Sequence, residues 1–376
     1  MAQSLRIGIV GAGPAGLTLA RVLQERGIRA SVFEAELSTS HRTQGGSLDM
    51  HAESGQRALQ IAGLYGAFGD IARYEDQGSR VYDRSGALLF DEQEDGDRPE
   101  VDRGILRDLL LASLAPDTVQ WGMRVSSVQC VDDGFELTFV EGQTARFDVV
   151  VGTDGAWSRT RAQLSPILPF YTGVLFVELG IDDVDRQHPD IANLVGRGKI
   201  FALGDEKGLI AQRNANGHVR VYAALKVPED WGRESQSAAD ESKSLRDQLL
   251  AEFESWDASL LSLIGPAATH LAFRPLWSLP PGHRWPHQKG ITVIGDAAHL
   301  MTPFGGEGAN LAMLDAAELG LALASGDDWP RAVEQFEETM WTRAEGAARG
   351  ALEGLNEAMS IDGRERVLAH MHSHEA

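Results

Sequence analysis

Gly11-x-Gly13-x-x-Gly16 stands between the apolar run Leu5–Val10 and a helical pattern with Leu17, Ala20 and Leu23 at three-residue spacing. In that setting the first glycine permits a tight turn and the second lets a pyrophosphate approach the backbone. The third lets helix and strand pack closely. Gly11, Gly13, Ala15 and Gly16 are therefore the expected lining of a dinucleotide site. The helix start adds unpaired N–H groups and a partial positive charge for the phosphates. Glu34 lies 18 residues after Gly16, closing the next apolar run, where a carboxylate can accept both ribose hydroxyls of an adenosine. A carboxylate there disfavours a 2′-phosphate, so the dinucleotide at this site should not be NADP. The bland alternative is a glycine-rich turn that binds nothing.

Two later clusters share this design. Asp154-Gly155-x-x-Ser158-x-x-Arg161 follows the apolar run that ends at Val151. Gly295-Asp296-Ala297-Ala298-His299 follows Ile291–Ile294 and leads into Pro303-x-Gly305-Gly306-x-Gly308-x-Asn310. A strand ends, an acid is presented at its carboxyl end, and glycines lead to a helix beginning near Gly308 to Leu311. That helix start could face a ring edge that gains negative charge on reduction. The plain reading of Asp296 is a helix cap or turn residue.

Those residues need elements to hold them. The opening strand, helix and second run Ala30–Phe33 make a βαβ unit, long enough for parallel pairing through a helical crossover. From Val119 to Val151 come three extended runs, separated by Asp132-Asp133-Gly134 and Glu141-Gly142, both hairpin signals. The last of them, Phe147–Val151, is one run that is apolar apart from Asp148, and its Val149–Val151 end reads as a strand buried on both faces. Between about 170 and 228, short alternating runs predict an antiparallel sheet, with Lys199–Leu203, Leu209–Arg213 and His218–Leu225 as its members. The last 60 residues read as mostly helical. The expected fold is α/β: a Rossmann-type domain, a second antiparallel-sheet domain and a C-terminal helix.

Composition narrows the class. The chain has 376 residues, 34 Lys+Arg against 55 Asp+Glu and a formal charge of −21. Nucleic acid and anionic membrane both call for clustered cations, so neither is expected as a partner. Its 41 glycines exceed the usual share of ~7%, which suggests backbone built to approach something closely. The single cysteine, Cys130, excludes a disulfide framework and reads as a small strand hydrophobe in a reducing compartment. No signal-peptide pattern precedes Leu5 and no run of 18 apolar residues follows. A soluble, cytoplasmic monomer is expected.

With all three motifs in order, the sequence resembles the flavoprotein aromatic hydroxylases, which pair one Rossmann domain and FAD with NAD(P)H as reductant. It resembles most the flavin-dependent tetracycline-inactivating monooxygenases. The stretches that carry this are Gly45-Gly46-Ser47-Leu48-Asp49, Ser54-Gly55-Gln56, Ala62-Gly63-Leu64 and Pro99-Glu100-Val101-x-Arg103-x-x-Leu106-Arg107. Asp117-Thr118-Val119-x-Trp121 and Gly295 through Asn310 complete the match. The resemblance implies that Arg103, Asp49, Asp154, Gly306, Gly308, Ala309 and Asn310 meet FAD. Asp296 would hold its ribitol and Arg42 the incoming NADPH or NADH. Asp102 could cap the helix that Arg103 opens and aim Arg103 at the pyrophosphate.

For the substrate, the resemblance implies the middle sheet together with Pro303, Phe304 and Gly305. Where the tetracycline enzymes use a Gln, an Arg and a His, this chain carries Glu178, Lys199 and Arg220. Thr302 replaces a Pro before Pro303. The charged trio could equally be solvated strand residues. The implied domains are 1–75, 100–168 and 286–330 for FAD, 76–99 and 169–285 for the substrate, and 331–376 as a bridging helix and tail. The implied reaction is hydroxylation of a phenolic or enolic polycyclic or aromatic small molecule, tetracycline-type antibiotics among them. O₂ would add at flavin C4a and pass one oxygen on as a hydroperoxide. The flavin then performs the chemistry, and no side chain is needed as nucleophile or metal ligand. A reductase or oxidase of the same fold, or a flavoprotein that sequesters ligands without turnover, remain the alternatives. His299 reads as a structural hydrogen-bonding residue. His370, His372 and His374 read as a disordered tail rather than a metal site, and Trp329 and Trp341 as packing residues.

Overall fold

The structure is a computed structural model that describes residues 5–38, 45–92, 96–232 and 241–374. Contacts divide the chain into two discontinuous units. The first comprises 1–72, 103–170 and 277–352, the second 73–102, 171–276 and 353–376.

In the first unit, Ile7–Val10, Val149–Gly152 and Ile291–Val293 are buried along their whole length and apolar apart from Thr292. Runs without polar alternation suit strands covered on both faces, and such strands pair parallel. The sheet order is Ile291–Val293, Val149–Gly152, Ile7–Val10, Ala30–Phe33, Val119–Gln120, with every pair parallel. Helix Pro14–Glu25 buries Leu17, Leu19, Val22 and Leu23, and ends as expected at Gly27, whose φ of +71° suits glycine. It lies against helix Glu307–Leu323 at a point where Gly320 has no room for a side chain. A Cβ there would come within 2.5 Å of Val22 Cγ1.

The run Phe147–Val151 proves to be two strands rather than one. Thr144–Phe147 closes a three-stranded antiparallel sheet with Gly134–Phe139 and Val125–Val131, while Val149–Gly152 joins the parallel sheet. Asp148 makes the corner, its carboxylate accepting from Arg6 N at 2.8 Å and from the Arg6 guanidinium at 2.7 Å. Phe33 packs its ring 5.0 Å from Phe139 and 5.5 Å from Phe147, which joins the two sheets. Cys130 sits in a strand, as expected, and is exposed there.

The second unit is built on a seven-stranded sheet. Its order is Thr269–Ser278, Phe170–Ile181, Val219–Lys226, Lys207–Arg213, Gly198–Gly204, Gly78–Tyr82, Leu88–Glu92. The sheet is not purely antiparallel: Gly198–Gly204 runs parallel to Gly78–Tyr82. One face carries Val177, Leu179, Ile200, Ala202, Leu209, Ala211, Val219 and Val221, and packs against Leu245, Leu249, Phe253 and Trp256. The period-two alternation leaves the other face to polar and aromatic residues.

The C-terminal part is helical, over Trp329–Ala358 and Gly363–His374. The segment that holds His370, His372 and His374 is thus a helix and not a disordered tail, and no metal-binding group occurs among the described residues. Trp341 stacks edge-on to Trp285 at 5.3 Å, as a packing residue does. No helix among the described residues is long and apolar enough to cross a membrane.

Two identical substitutions should shift stability in opposite directions. Gly320→Ala forces Val22 aside and should lower unfolding stability by about 1–3 kcal/mol, as overpacking does. Gly346→Ala, on the exposed side of helix Trp329–Ala358 with nothing within 4 Å of its Cβ, should raise it by about 0.5–1 kcal/mol. Denaturant titration of both variants checks the pair.

Candidate functional site

The three motifs converge at the carboxyl ends of adjacent strands in the first unit. Thr153, just before the second motif, donates from Oγ1 to Val10 O at 2.9 Å and to Gly11 O at 2.8 Å. A Cβ on Gly11 would lie 2.5 Å from Thr153 O, and one on Gly16 only 2.0 Å from Gly11 O. These two glycines are required by their neighbours in the protein. Gly13 is different: a Cβ there would meet nothing within 4 Å. It precedes helix Pro14–Glu25 and offers no side-chain cap to the amides of the first turn. The third motif closes the group. The Ala15 Cβ lies 3.7 Å from where a Cβ on Gly295 would stand, and the buried Arg161 donates to Ala297 O at 3.0 Å.

The acids do not all play the same part. Glu34 ends its strand with Oε2 accepting from Ala12 N at 2.6 Å and Oε1 from Glu36 N at 2.9 Å, so backbone amides fix its carboxylate beside the glycine turn. Asp154 is spent locally, taking the Ser158 hydroxyl at 2.5 Å and Arg159 N at 2.7 Å. That carboxylate shapes the turn that delivers Arg161. Asp296 is exposed at the first position of the short helix Asp296–His299. Arg103 is exposed at the start of helix Arg103–Ala112, and its N–H donates to Gly46 O at 3.0 Å. Asp102 does not serve as its cap: that carboxylate accepts from Arg73 at 2.7 Å and from Ala215 N at 3.3 Å. Arg42 lies outside the described residues.

Sequence reasoning missed a buried charge network behind the third motif. His299 Nε2 meets Asp315 Oδ2 at 2.6 Å, and Arg343 bridges Asp315 Oδ1 at 2.8 Å and Glu318 at 2.9 Å. Burial opposes the charge on both His299 and Asp315. Their mutual attraction, with Arg343 beside the acid, overcomes it, raising the imidazole pKa and lowering that of the carboxyl. Helices Asp296–His299, Glu307–Leu323 and Trp329–Ala358 are thereby locked at one point. His299 is the structural residue expected, although its partners lie 16 and more positions away and leave no local pattern.

A second group clasps the start of helix Glu307–Leu323 and includes Asp49, Gly306 and Asn310, which the resemblance implies as FAD contacts. Asn310 is fully buried, accepts from His51 N at 3.0 Å and donates to Asp49 O at 2.8 Å. Gly55 is required beside it, since a Cβ there would sit 2.3 Å from Asn310 Oδ1. Gly306 precedes the helix at φ +68°, against the Asp49 carboxylate. Gly308 and Ala309 lie half-buried in the first turn, ahead of which Pro303 and Gly305 are exposed and Phe304 is half-buried.

In the second unit, the strand register places Glu178, Tyr222, Arg220, Gln212 and Lys199 on the face opposite the apolar core. Glu178 is paired with both Arg220 and Arg274, the latter at 2.8 Å. Phe176 and Tyr222 stack on that face at 5.4 Å. The charged trio is therefore half-buried, and two of its members neutralise each other.

Comparison with known proteins bears on this geometry. A family described as FAD binding domain matches residues 4–326. Monooxygenase penA of Penicillium thymicola is 32% identical over 97% of this chain and 98% of its own. The Klebsiella pneumoniae HpxO structure complexed with FAD and uric acid superposes with a TM-score of 0.80 at 22% identity, covering 98% of this chain and 92% of that one. Tetracycline destructase Tet(55) gives 0.77 at 20% identity, over 99% and 95%. At those identities the structural likeness concerns the fold.

The network behind the third motif has a measurable signature. Asp315→Asn leaves Arg343 and His299 without their buried partner and should cost about 3–5 kcal/mol near pH 6. The contribution of His299, whose pKa is raised on folding, is complete below its ordinary value and fades as pH rises through the raised one. That of Asp315, whose pKa is lowered, is complete above its ordinary value and fades as pH falls through the lowered one. The gap between variant and parent in urea titrations should therefore narrow toward both extremes.

Proposed function

Because the chain belongs to the FAD binding domain family and is an FAD-dependent monooxygenase of the aromatic-hydroxylase type, we propose that it uses NADPH or NADH and O₂ to hydroxylate an electron-rich aromatic or enolic small molecule. The observation that carries the reading is the open face at Gly13, set between a fixed carboxylate and a helix start without a side-chain cap. A pyrophosphate fills such a cradle, whereas the neighbouring Gly11 and Gly16 are already filled by protein.

In this reading the amides of Gly13 and the first helical turn hold the pyrophosphate, Glu34 takes the adenosine ribose, and Arg103 adds a cation at the phosphates. Asp296, exposed at a strand end, takes the ribitol. The start of helix Glu307–Leu323, from Gly306 to Asn310, presents its positive end to the pyrimidine edge of the ring, with Asp49 alongside. Asp154 acts through its turn rather than as a ligand. Arg42 meets the nicotinamide nucleotide. When bound, FAD accepts a hydride from the nicotinamide and activates O₂, so that one oxygen atom enters the substrate and the other leaves as water.

The protein's part is to bind, orient and exclude water. The polar face of the seven-stranded sheet supports a substrate with an aromatic body and polar edges. Phe176 and Tyr222 offer ring contacts, while Lys199, Arg220 and Glu178 offer charge. Pro303, Phe304 and Gly305 belong to the same proposal. Tetracyclines fit that class as one member among other enolic polycycles.

Two experiments test this reading. The FAD-loaded enzyme, screened against phenolic and enolic polycycles, should consume NADPH or NADH with O₂ uptake and give a product heavier by one oxygen atom. A product that is only reduced, or no nicotinamide consumption with any of them, would sink the monooxygenase cycle. Asp296→Ala should purify colourless; a fully loaded yellow variant removes Asp296 from the ribitol.

A further inference from the structure

His51 lies two residues after Asp49 and is 1% exposed, yet neither ring nitrogen has a hydrogen-bond partner. What surrounds it is charge. Nε2 is 3.6 Å from Asp49 Oδ2, while Nδ1 is 3.6 Å from Glu307 Oε1 and 4.0 Å from the Glu53 carboxylate. Asp49 ends a strand, Glu53 lies in the turn beyond, and Glu307 is the first residue of helix Glu307–Leu323. The backbone N–H of the same histidine is held by Asn310. The ring is thus fixed beside the helix start, between acids from three different segments.

We propose that His51, as an imidazolium, is a positioning residue for flavin reduction. It offsets Asp49 and Glu307 at the start of helix Glu307–Leu323, so that the negative charge gained by the flavin on reduction is not repelled there. The inference rests on the reading that this helix start meets the flavin's pyrimidine edge. An uncharged His51 would leave two carboxylates facing that edge with only the helix dipole to offset them. Burial works against the imidazolium, but the contacts with Asp49 and Glu307 outweigh it and raise its pKa to about 9. The ring is therefore charged at neutral pH. Its contribution to folding is complete below the ordinary histidine value of about 6.5 and is lost as pH rises through about 9.

The test uses the FAD-loaded full chain and measures its two-electron midpoint potential by dye-coupled reduction. His51→Gln should lower the equilibrium constant for reduction about tenfold at neutral pH, a shift of about 30 mV to more negative potential. Glu307→Gln removes a negative charge from the same point and should move the potential the other way. Opposite signs support the proposal, because general damage to the helix start would move both variants in one direction. Shifts of the same sign, or none in either variant, overturn it. If His51→Gln fails to fold, the wild-type profile still decides. The potential should fall more steeply with pH above about 9, and in Glu307→Gln that bend should move to lower pH; an unbent line overturns the proposal. Hydrogen exchange of amides 308–311, with and without FAD, separates the two levels. Unprotected amides overturn the placement of the flavin and the proposal with it; protected amides with an unshifted potential overturn His51 alone.

Discussion

Much of the first unit depends on one steric constraint, the approach of two backbone segments at Gly11 and Thr153. With a would-be Cβ 2.5 Å from a carbonyl oxygen, only glycine lets the opening strand turn into its helix while the neighbouring strand delivers the second motif. The hydroxyl of Thr153 then holds the closure with two hydrogen bonds. Once that corner is fixed, Glu34 is placed by the Ala12 amide and the start of helix Pro14–Glu25 points outward at Gly13. The geometry that suits a dinucleotide is thus first a solution to a packing problem internal to the chain.

Electrostatics follows from that geometry in an acidic molecule. With a formal charge of −21, cations are scarce enough that their placement matters. Several are consumed in holding structure. Arg107 is buried against Glu36 at 2.8 Å and over the Trp121 ring, Arg343 secures Asp315, and Arg161 reaches the third motif. Arg103 is left exposed at a helix start, while Arg220 is already engaged by Glu178.

The parts of this design that were legible in the sequence are those written in local spacing. Glycine triplets, buried apolar runs and alternating strands depend on neighbours a few positions apart, so the parallel sheet, the hairpins and the polar sheet face could be read directly. The break at Asp148 could not, because it depends on Arg6 on the far side of a strand pair. For the same reason Asp102 reads as a cap until Arg73 is seen to claim it. His51 and the His299–Asp315–Arg343 network were illegible because they depend on partners that lie from 16 to 259 positions away.

The parallel sheet also constrains how the chain is made. Its central strand Ile7–Val10 precedes the edge strand Ile291–Val293 and the helix from Glu307 by more than 280 residues. Ribosomal synthesis therefore exposes the apolar strands Ile7–Val10 and Val149–Gly152 well before their last neighbour exists. Meanwhile the strand Gly78–Tyr82 waits for Gly198–Gly204 to supply its parallel partner. Folding to the final topology thus waits for the third motif, and chains cut short before it would present unsatisfied sheet edges to chaperones and proteases.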